Sequence, residues 1–167
     1  MINIYTDGSC SNNPGKGGFG VVCISENKYI NYVYREQCQE TTNNREELKA
    51  IIKAIEFAKK NPEKDFIIYT DSSYAEQSIN NWMYNWYYQN WKNSKNKTIE
   101  NLDLIQTLYN YCNSEFPNFY IKKIKGHVGE VGNELADAIA TGDKDKIRKI
   151  FYNNQLIYAA DAKLDKF

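Results

Sequence analysis

The sequence Ile4-Tyr5-Thr6-Asp7-Gly8-Ser9 returns almost unchanged as Ile68-Tyr69-Thr70-Asp71-Ser72-Ser73. Each copy is a β-branched and aromatic run that stops at an aspartate and is followed by small turn residues, which predicts a strand ending in a carboxylate. If the two strands lie side by side and parallel, Asp7 and Asp71 meet at one edge of the sheet. The alternative is two unrelated aspartates, since aspartate is common in turns. The match between the copies favours the shared edge.

Two carboxylates at one edge repel each other unless a cation lies between them. A hard divalent ion is the simplest such cation, because it prefers oxygen ligands. Ligands of open α/β sheets also gather at the carboxyl ends of the strands. The repeat therefore predicts a metal site at this edge.

The bulk composition is that of an ordinary globular domain. The chain has 167 residues, 42% of them hydrophobic, with a formal net charge of zero, so any binding to nucleic acid must come from local patches. Four cysteines without C-x-x-C spacing and a single histidine make a zinc site improbable, and reduced thiols in a cytoplasmic protein are favoured over a disulfide pair. No signal peptide and no apolar run of about 18 residues is visible, so no membrane contact is expected.

Hydrophobic periodicity predicts alternating strands and helices. The predicted strands are Met1–Asp7, Phe19–Ile24, Tyr29–Cys38, Phe66–Thr70 and Phe119–Ile124, and the predicted helices run from about Asn43 to Lys60, Tyr74 to Tyr88, Glu100 to Cys112 and Gly132 to Thr141. Residues 8–18 are predicted to form a loop. Gly15-x-Gly17-x-x-Gly20 matches the dinucleotide fingerprint only formally, because it precedes a strand pattern rather than a helix.

Two adjacent glutamates begin the first predicted helix and should differ in role. Asn43 with Glu46 resembles a capping box, and Glu46 also lines up with Lys49 on the polar face, so it is expected to be a capping or surface residue. Glu47 lies one turn before Ile51, at the edge of the apolar stripe. Glu47 is therefore the glutamate that could reach the strand ends.

Asp137 on the last predicted helix completes a set of four carboxylates if that helix folds back over the same edge. Two Mg²⁺ or Mn²⁺ ions could neutralise Asp7, Glu47, Asp71 and Asp137 together. A pair of such ions is the usual device for in-line cleavage of a phosphodiester.

The motifs resemble those of the type 1 ribonuclease H family over about residues 1–142. The resemblance rests on four stretches in order: Thr6–Ser9 with Asn13-Pro14-Gly15, Thr42–Leu48, Thr70-Asp71-Ser72, and Gly126–Gly129 with Asn133 and Asp137. It implies an α/β, RNase H-like fold with a five-stranded mixed sheet and helices on both faces. Residues 143–167 would be an extension of this domain, with a helix laid on it or trailing from it.

The resemblance also implies an activity and roles for the carboxylates. The reaction would be endonucleolytic hydrolysis of the RNA strand of an RNA–DNA hybrid, leaving 5′-phosphate and 3′-hydroxyl ends. Asp7 would bridge two metal ions, Glu47 and Asp71 would hold one of them, and Asp137 the one that activates water. His127 would assist proton transfer or product release; a solvated loop residue is the alternative for this histidine.

The resemblance further implies contacts with the hybrid. Asn13, Asn43 and Asn44 would meet the minor groove and RNA 2′-hydroxyls, which is how proteins distinguish RNA from DNA. Ser73 stands where the family often has a larger amide side chain. Residues 78–98 correspond to the family's basic protrusion, and its candidate contacts are Trp82, Trp86, Trp91, Lys92, Lys95 and Lys97.

The aromatic residues of 78–98 have a second interpretation. Trp82 and Trp86 are one helical turn apart and could simply pack against the core, whereas Trp91 and the lysines are expected to be exposed. Few cations in this segment predict weak hybrid affinity with a shallow salt dependence.

The chain is expected to be a monomer. The alternative to a hybrid-cleaving enzyme is a catalytically silent hybrid-binding module. An integrase-like or junction-resolving nuclease would lack these asparagine motifs.

Overall fold

The computed structural model describes residues 1–124 and 130–165. The strands are β1 (Ile2–Cys10), β2 (Gly15–Ser25), β3 (Tyr29–Thr41), β4 (Phe66–Thr70), β5 (Phe119–Lys123) and β6 (Ile157–Asp165). The helices are α1 (Asn43–Lys59), α2 (Ser73–Gln77), α3 (Met83–Tyr88), α4 (Leu102–Cys112), α5 (Val131–Thr141) and α6 (Lys144–Asn154), and a π-helical turn at Ser78–Trp82 joins α2 to α3. The strands form one mixed sheet in the order β5-β4-β1-β2-β3-β6.

The two copies of the repeated sequence lie next to each other in register. Strands β1 and β4 are parallel, with Ile4 opposite Ile68 and Tyr5 opposite Tyr69. The two tyrosine rings stack with their centroids 5.1 Å apart. The predicted side-by-side arrangement is confirmed, and both aspartate-bearing ends reach the same edge of the sheet.

Helices cover both faces of the sheet, as predicted. On one face α1 buries Leu48 against side chains of the sheet such as Ile4 and Ile68. On the other face α5 and α6 bury Leu135 and Ile147 against the second side of the sheet. The alternation of side chains along β1 explains the division, because neighbouring residues of a strand point to opposite faces.

The prediction of a loop over residues 8–18 was wrong in its extent, because β1 continues to Cys10 and β2 begins at Gly15. Glycines in and just after this stretch allow close packing as well as turns. A Cβ at Gly20 would lie 2.7 Å from the carbonyl oxygen of Ala136. Glycine therefore lets α5 approach β2 closely while the strand continues.

The C-terminal segment adds an element that the sequence patterns did not predict. After α6 the chain forms β6, which pairs parallel with β3, so the sheet has six strands rather than five. Without β6, the outer backbone groups of β3 would lack strand partners.

In the described residues, no helix has both the length and the apolar character required to cross a bilayer. Cys10, Cys23, Cys38 and Cys112 are free thiols.

Candidate metal and nucleic-acid site

Three carboxylates converge at the edge of the sheet where β1 and β4 end. Asp7 lies near the end of β1, Asp71 follows β4 directly, and Glu47 projects from the start of α1. One carboxylate oxygen from each residue lies within 4.8 Å of the other two. Asp7 and Glu47 are buried, whereas Asp71 faces solvent. The structure thus brings together three of the four carboxylates that the sequence patterns selected.

The position of Glu47 is fixed by its neighbours on two strands. The backbone amide of Gly8 donates a 3.0 Å hydrogen bond to Oε1 of Glu47, and the Thr70 hydroxyl lies 3.4 Å from Oε2 as a donor. The helix itself is capped by Thr42, whose hydroxyl accepts a hydrogen bond from the Arg45 amide. The prediction of Asn43 as the cap was wrong by one residue.

Glu46 is not the capping or surface residue that its alignment with Lys49 predicted. Its side chain is completely buried. Oε2 accepts hydrogen bonds of 2.7 Å from the Thr41 hydroxyl and from the Lys49 ammonium. The reason is that β3 extends to Thr41, so the end of this strand covers the first turn of α1. Glu46 therefore ties α1 to β3 rather than facing water.

Asp137 of α5 is the fourth carboxylate, and its side chain lies close enough to Asp7 for the two groups to influence each other's pKa. Its Oδ2 also accepts a 2.8 Å hydrogen bond from the ammonium of Lys146. Among the described residues, this is the only salt bridge to any of the four carboxylates. Sequence reasoning missed Lys146. The pair Gly142-Asp143 could have indicated it, because a glycine that ends one helix followed by an aspartate that caps the next predicts a tight turn between two helices. Such a turn brings the first residues of α6, including Lys146, close to the last turns of α5, which carry Asp137.

The electrostatics of the site differ between its two halves. Burial, followed by the charges of Glu47 and Asp71, raises the pKa of Asp7. Burial and the charge of Asp71 likewise raise the pKa of Glu47. Partial burial is the largest influence on Asp137 and would raise its pKa too, but the hydrogen bond and charge of Lys146 together with the interaction with Asp7 outweigh burial, and the net shift is downward. Asp7, Glu47 and Asp71 therefore disfavour one another's charged forms, whereas Asp137 is paired with a cation.

The donor set fits a hard divalent cation. All candidate ligands are carboxylate oxygens, which Mg²⁺ and Mn²⁺ prefer over nitrogen or sulfur. Burial of Asp7 and Glu47 beside Asp71 is unfavourable without a cation, and a bound divalent ion would remove that repulsion. Lys146 reaches only Asp137, so the gap among the other three carboxylates is not filled by its ammonium.

The candidate polar contacts to nucleic acid lie close to this edge. Asn13, Asn43 and Asn44 are exposed around the N-terminus of α1, and Oδ1 of Asn13 accepts a 3.0 Å hydrogen bond from the Asn43 amide. This bond ties the loop between β1 and β2 to the start of α1. Ser73 is exposed as the first residue of α2. His127 lies outside the described residues.

The aromatic candidates divide between packing and exposure. Trp82 is 40% exposed, while Trp86 and Trp91 are half-buried against the core. The expected exposure of Trp91 was therefore wrong, because the ring packs edge-on against Tyr87 and Tyr109 at 5.9 and 5.6 Å.

The three lysines of residues 78–98 also differ in exposure. Lys95 and Lys97 are exposed, as predicted, but Lys92 is half-buried, so the predicted exposure of Lys92 was wrong. Nearby aromatic surface comes from Tyr87 and Tyr88, which are 46% and 82% exposed. Residues 78–98 thus offer two exposed lysines and two exposed tyrosine rings.

Comparison with known proteins places these features in a family. The family model described as RNase H matches residues 1–144. A ribonuclease H of Orientia tsutsugamushi (strain Boryong) is 39% identical over 154 residues, which cover 92% of this chain and 88% of that relative.

Two solved structures illustrate the likeness in three dimensions. The solution structure of the RNase H domain of PFV is 25% identical, with a TM-score of 0.72 over 84% of this chain and 92% of that domain. LC11-RNase H1, solved in complex with an RNA/DNA hybrid, is 23% identical, with a TM-score of 0.64 over 87% of this chain and 98% of that protein. The second likeness concerns the fold alone.

Proposed function

Because this chain belongs to the RNase H family, we propose that it is an endonuclease that hydrolyses the RNA strand of RNA–DNA hybrids. The observation that carries the proposal is the convergence of Asp7, Glu47 and Asp71 within 4.8 Å, with Asp137 in contact with Asp7. A silent hybrid-binding module would gain nothing from holding these acids together, since their mutual repulsion is unfavourable.

The proposed cofactor is Mg²⁺, with Mn²⁺ as a substitute. When bound, such ions supply an activated water and stabilise the charge on the leaving oxygen. Asp7 is the candidate shared ligand because it interacts with each of the other three carboxylates. Glu47 and Asp71 would hold one ion, and Asp137 the other.

The rest of the chain orients these ligands and keeps them in place. Hydrogen bonds from Gly8 and Thr70 occupy both oxygens of Glu47 and thereby fix its side chain. Ligands held in advance by such neighbours need little reorganisation when a cation binds. This support explains why a buried glutamate can serve as a ligand on the first turns of a helix.

The substrate would lie across the start of α1. The exposed amides of Asn13, Asn43 and Asn44 offer both donors and acceptors, which suit 2′-hydroxyls in a minor groove. Trp82, Trp86 and the lysines of residues 78–98 would meet the DNA strand, and Ser73 is a further candidate contact to the hybrid. His127 would assist proton transfer, since a histidine changes its charge near neutral pH.

The test is cleavage of labelled RNA–DNA hybrid, double-stranded RNA and double-stranded DNA in Mg²⁺. We expect cleavage of the hybrid alone, yielding 5′-phosphate and 3′-hydroxyl ends. Asp7→Asn should lower turnover by at least about 1,000-fold, or roughly 4 kcal/mol, with hybrid binding largely retained.

Asp161→Asn is the matched control, because Asp161 is exposed on β6 and the change removes the same charge. This variant should cleave like the wild type. Full activity of Asp7→Asn would refute the site, and cleavage of double-stranded DNA would refute the substrate.

A further inference from the structure

Lys146 lies beyond the residues that the family model matches, yet its side chain reaches the candidate metal site. Its ammonium is 2.8 Å from Oδ2 of Asp137, and the two side chains are 43% and 44% exposed. The pair is therefore accessible to solvent and to ions. A lysine in this position places a permanent cation beside one candidate ligand.

The turn between α5 and α6 determines where Lys146 lies. Gly142 ends α5 with a left-handed backbone, φ 72°, and the Asp143 amide donates to the carbonyl of Ala138. Asp143 then caps α6, since its carboxylate accepts a 3.1 Å hydrogen bond from the Lys146 amide. Burial of Ile147 holds α6 against α5. The backbone of Lys146 is thus held over the side of α5 that carries Asp137.

The ammonium and a divalent ion would compete for the same oxygen. The neutral donors on Glu47 do not oppose a cation, but the positive ammonium on Oδ2 of Asp137 repels an incoming divalent ion and has to move away before the ion binds. Glu134 and Asp143 also attract Lys146, so both carboxylates are alternative partners for a displaced ammonium. A displaced ammonium therefore remains in negatively charged surroundings.

We propose that Lys146 is a positioning residue that competes with a metal ion for Asp137 and so sets the ion concentration at which this half of the site fills. The inference rests on the proposed function, because it takes Asp137 as a ligand. Asp7, Glu47 and Asp71, which Lys146 does not bridge, form the half that fills first. Half-exposed ion pairs contribute little, so the effect on the filling concentration is about two- to fivefold.

The experiment is a Mn²⁺ titration of the full chain without nucleic acid, followed by the electron paramagnetic resonance signal of free Mn²⁺ at about 0.15 M ionic strength. We expect Lys146→Gln to lower the midpoint of the weaker binding step about two- to fivefold and to leave the tighter step unchanged. Lys146→Arg, which keeps the cation, should bind like the wild type. Circular dichroism and thermal unfolding establish that each variant is folded.

Two controls separate competition from a general effect of charge. Lys149→Gln removes the same charge from an exposed position on α6 and should shift the midpoint far less. In the background of Asp137→Asn, the further change Lys146→Gln should have no effect, because the shared carboxylate charge is gone.

An unchanged or higher midpoint in Lys146→Gln would overturn the inference while leaving the metal site intact. An equal shift in Lys149→Gln would also overturn it. If the wild type bound no Mn²⁺, the metal site itself and the inference would both fail.

Discussion

The backbone amide of Gly8 donates a 3.0 Å hydrogen bond to Oε1 of Glu47, although the two residues are 39 positions apart. This bond joins the end of β1 to α1 at the point where the carboxylates meet. There is no space for a larger residue, since a Cβ at Gly8 would lie 2.5 Å from the backbone nitrogen of Glu47 and 2.6 Å from the carbonyl carbon of Glu46.

Gly8→Ala should therefore displace the start of α1 from β1. We expect a loss of stability of about 1–3 kcal/mol, as for other overpacked sites, and at least a tenfold weaker binding of Mn²⁺ because Glu47 moves. Urea unfolding and the Mn²⁺ titration measure the two effects. Wild-type behaviour in both measurements would contradict the close packing of α1 against β1.

Glu46 and Glu47 should give opposite phenotypes although they are adjacent. Glu46→Ala leaves Thr41 and Lys49 without their shared acceptor and should lower the free energy of unfolding by about 1–3 kcal/mol. Glu47→Gln removes a repulsive charge and should keep the fold while cleavage of the hybrid is lost. Urea unfolding and hybrid cleavage of both variants test this, with exposed Glu40→Ala as the control. The opposite assignment of phenotypes would refute both roles.

Metal-free protein should lose stability as the pH rises. Burial and neighbouring acids raise the pKa of Asp7 from 3.8 to about 10 and that of Glu47 from 4.5 to about 7. Between the unfolded and folded values the folded protein binds more protons, so the free energy of unfolding falls with increasing pH. This contribution is complete below about pH 4 and is lost as the pH rises through the two folded values.

Thermal unfolding in EDTA at pH 5 and pH 8 measures this dependence. Asp7→Asn should unfold at a higher temperature than the wild type, with a gap that widens towards pH 8 to the order of 5 °C. Mg²⁺ should narrow the gap by stabilising the wild type. Parallel pH curves of the two proteins would contradict the raised pKa of Asp7.

The salt dependence of hybrid binding should be shallow. Lys95 and Lys97 are the two exposed lysines of residues 78–98. Each phosphate contact contributes about 0.7–0.9 to the slope of log affinity against log salt, so Lys95→Gln with Lys97→Gln should flatten it by roughly 1–2. The control pair, Lys60→Gln with Lys64→Gln, removes exposed charges beyond the far end of α1. If both pairs of substitutions reduced the salt slope equally, residues 78–98 would not be a specific contact to the hybrid.

The sequence predicted the parts of the site that local patterns carry. The repeat around Asp7 and Asp71 gave two matching strands, and helical spacing selected Glu47 over Glu46 as the residue near the strand ends. The strand Phe66–Thr70 and the glycine stop at Gly142 were also predicted correctly. These features depend on alternation, periodicity and backbone preference, which are properties of neighbouring residues.

Other features could not be predicted because they depend on residues distant in the chain. Glu46 was misassigned since its burial comes from Thr41 at the end of β3. The half-buried position of Trp91 depends on Tyr109 of α4, and β6 forms because β3 offers an open edge. In each case the deciding partner belongs to another element.

The sequence by itself determined which acids the two repeated strands carry near their ends and which glutamate could face them, because strand and helix periods fix the direction of each side chain. Only the tertiary structure decided that Gly8 holds Glu47 and that Lys146 pairs with Asp137. Hydrogen bonds and ion pairs act over about 3–4 Å, and this proximity arises only when the helices pack on the sheet.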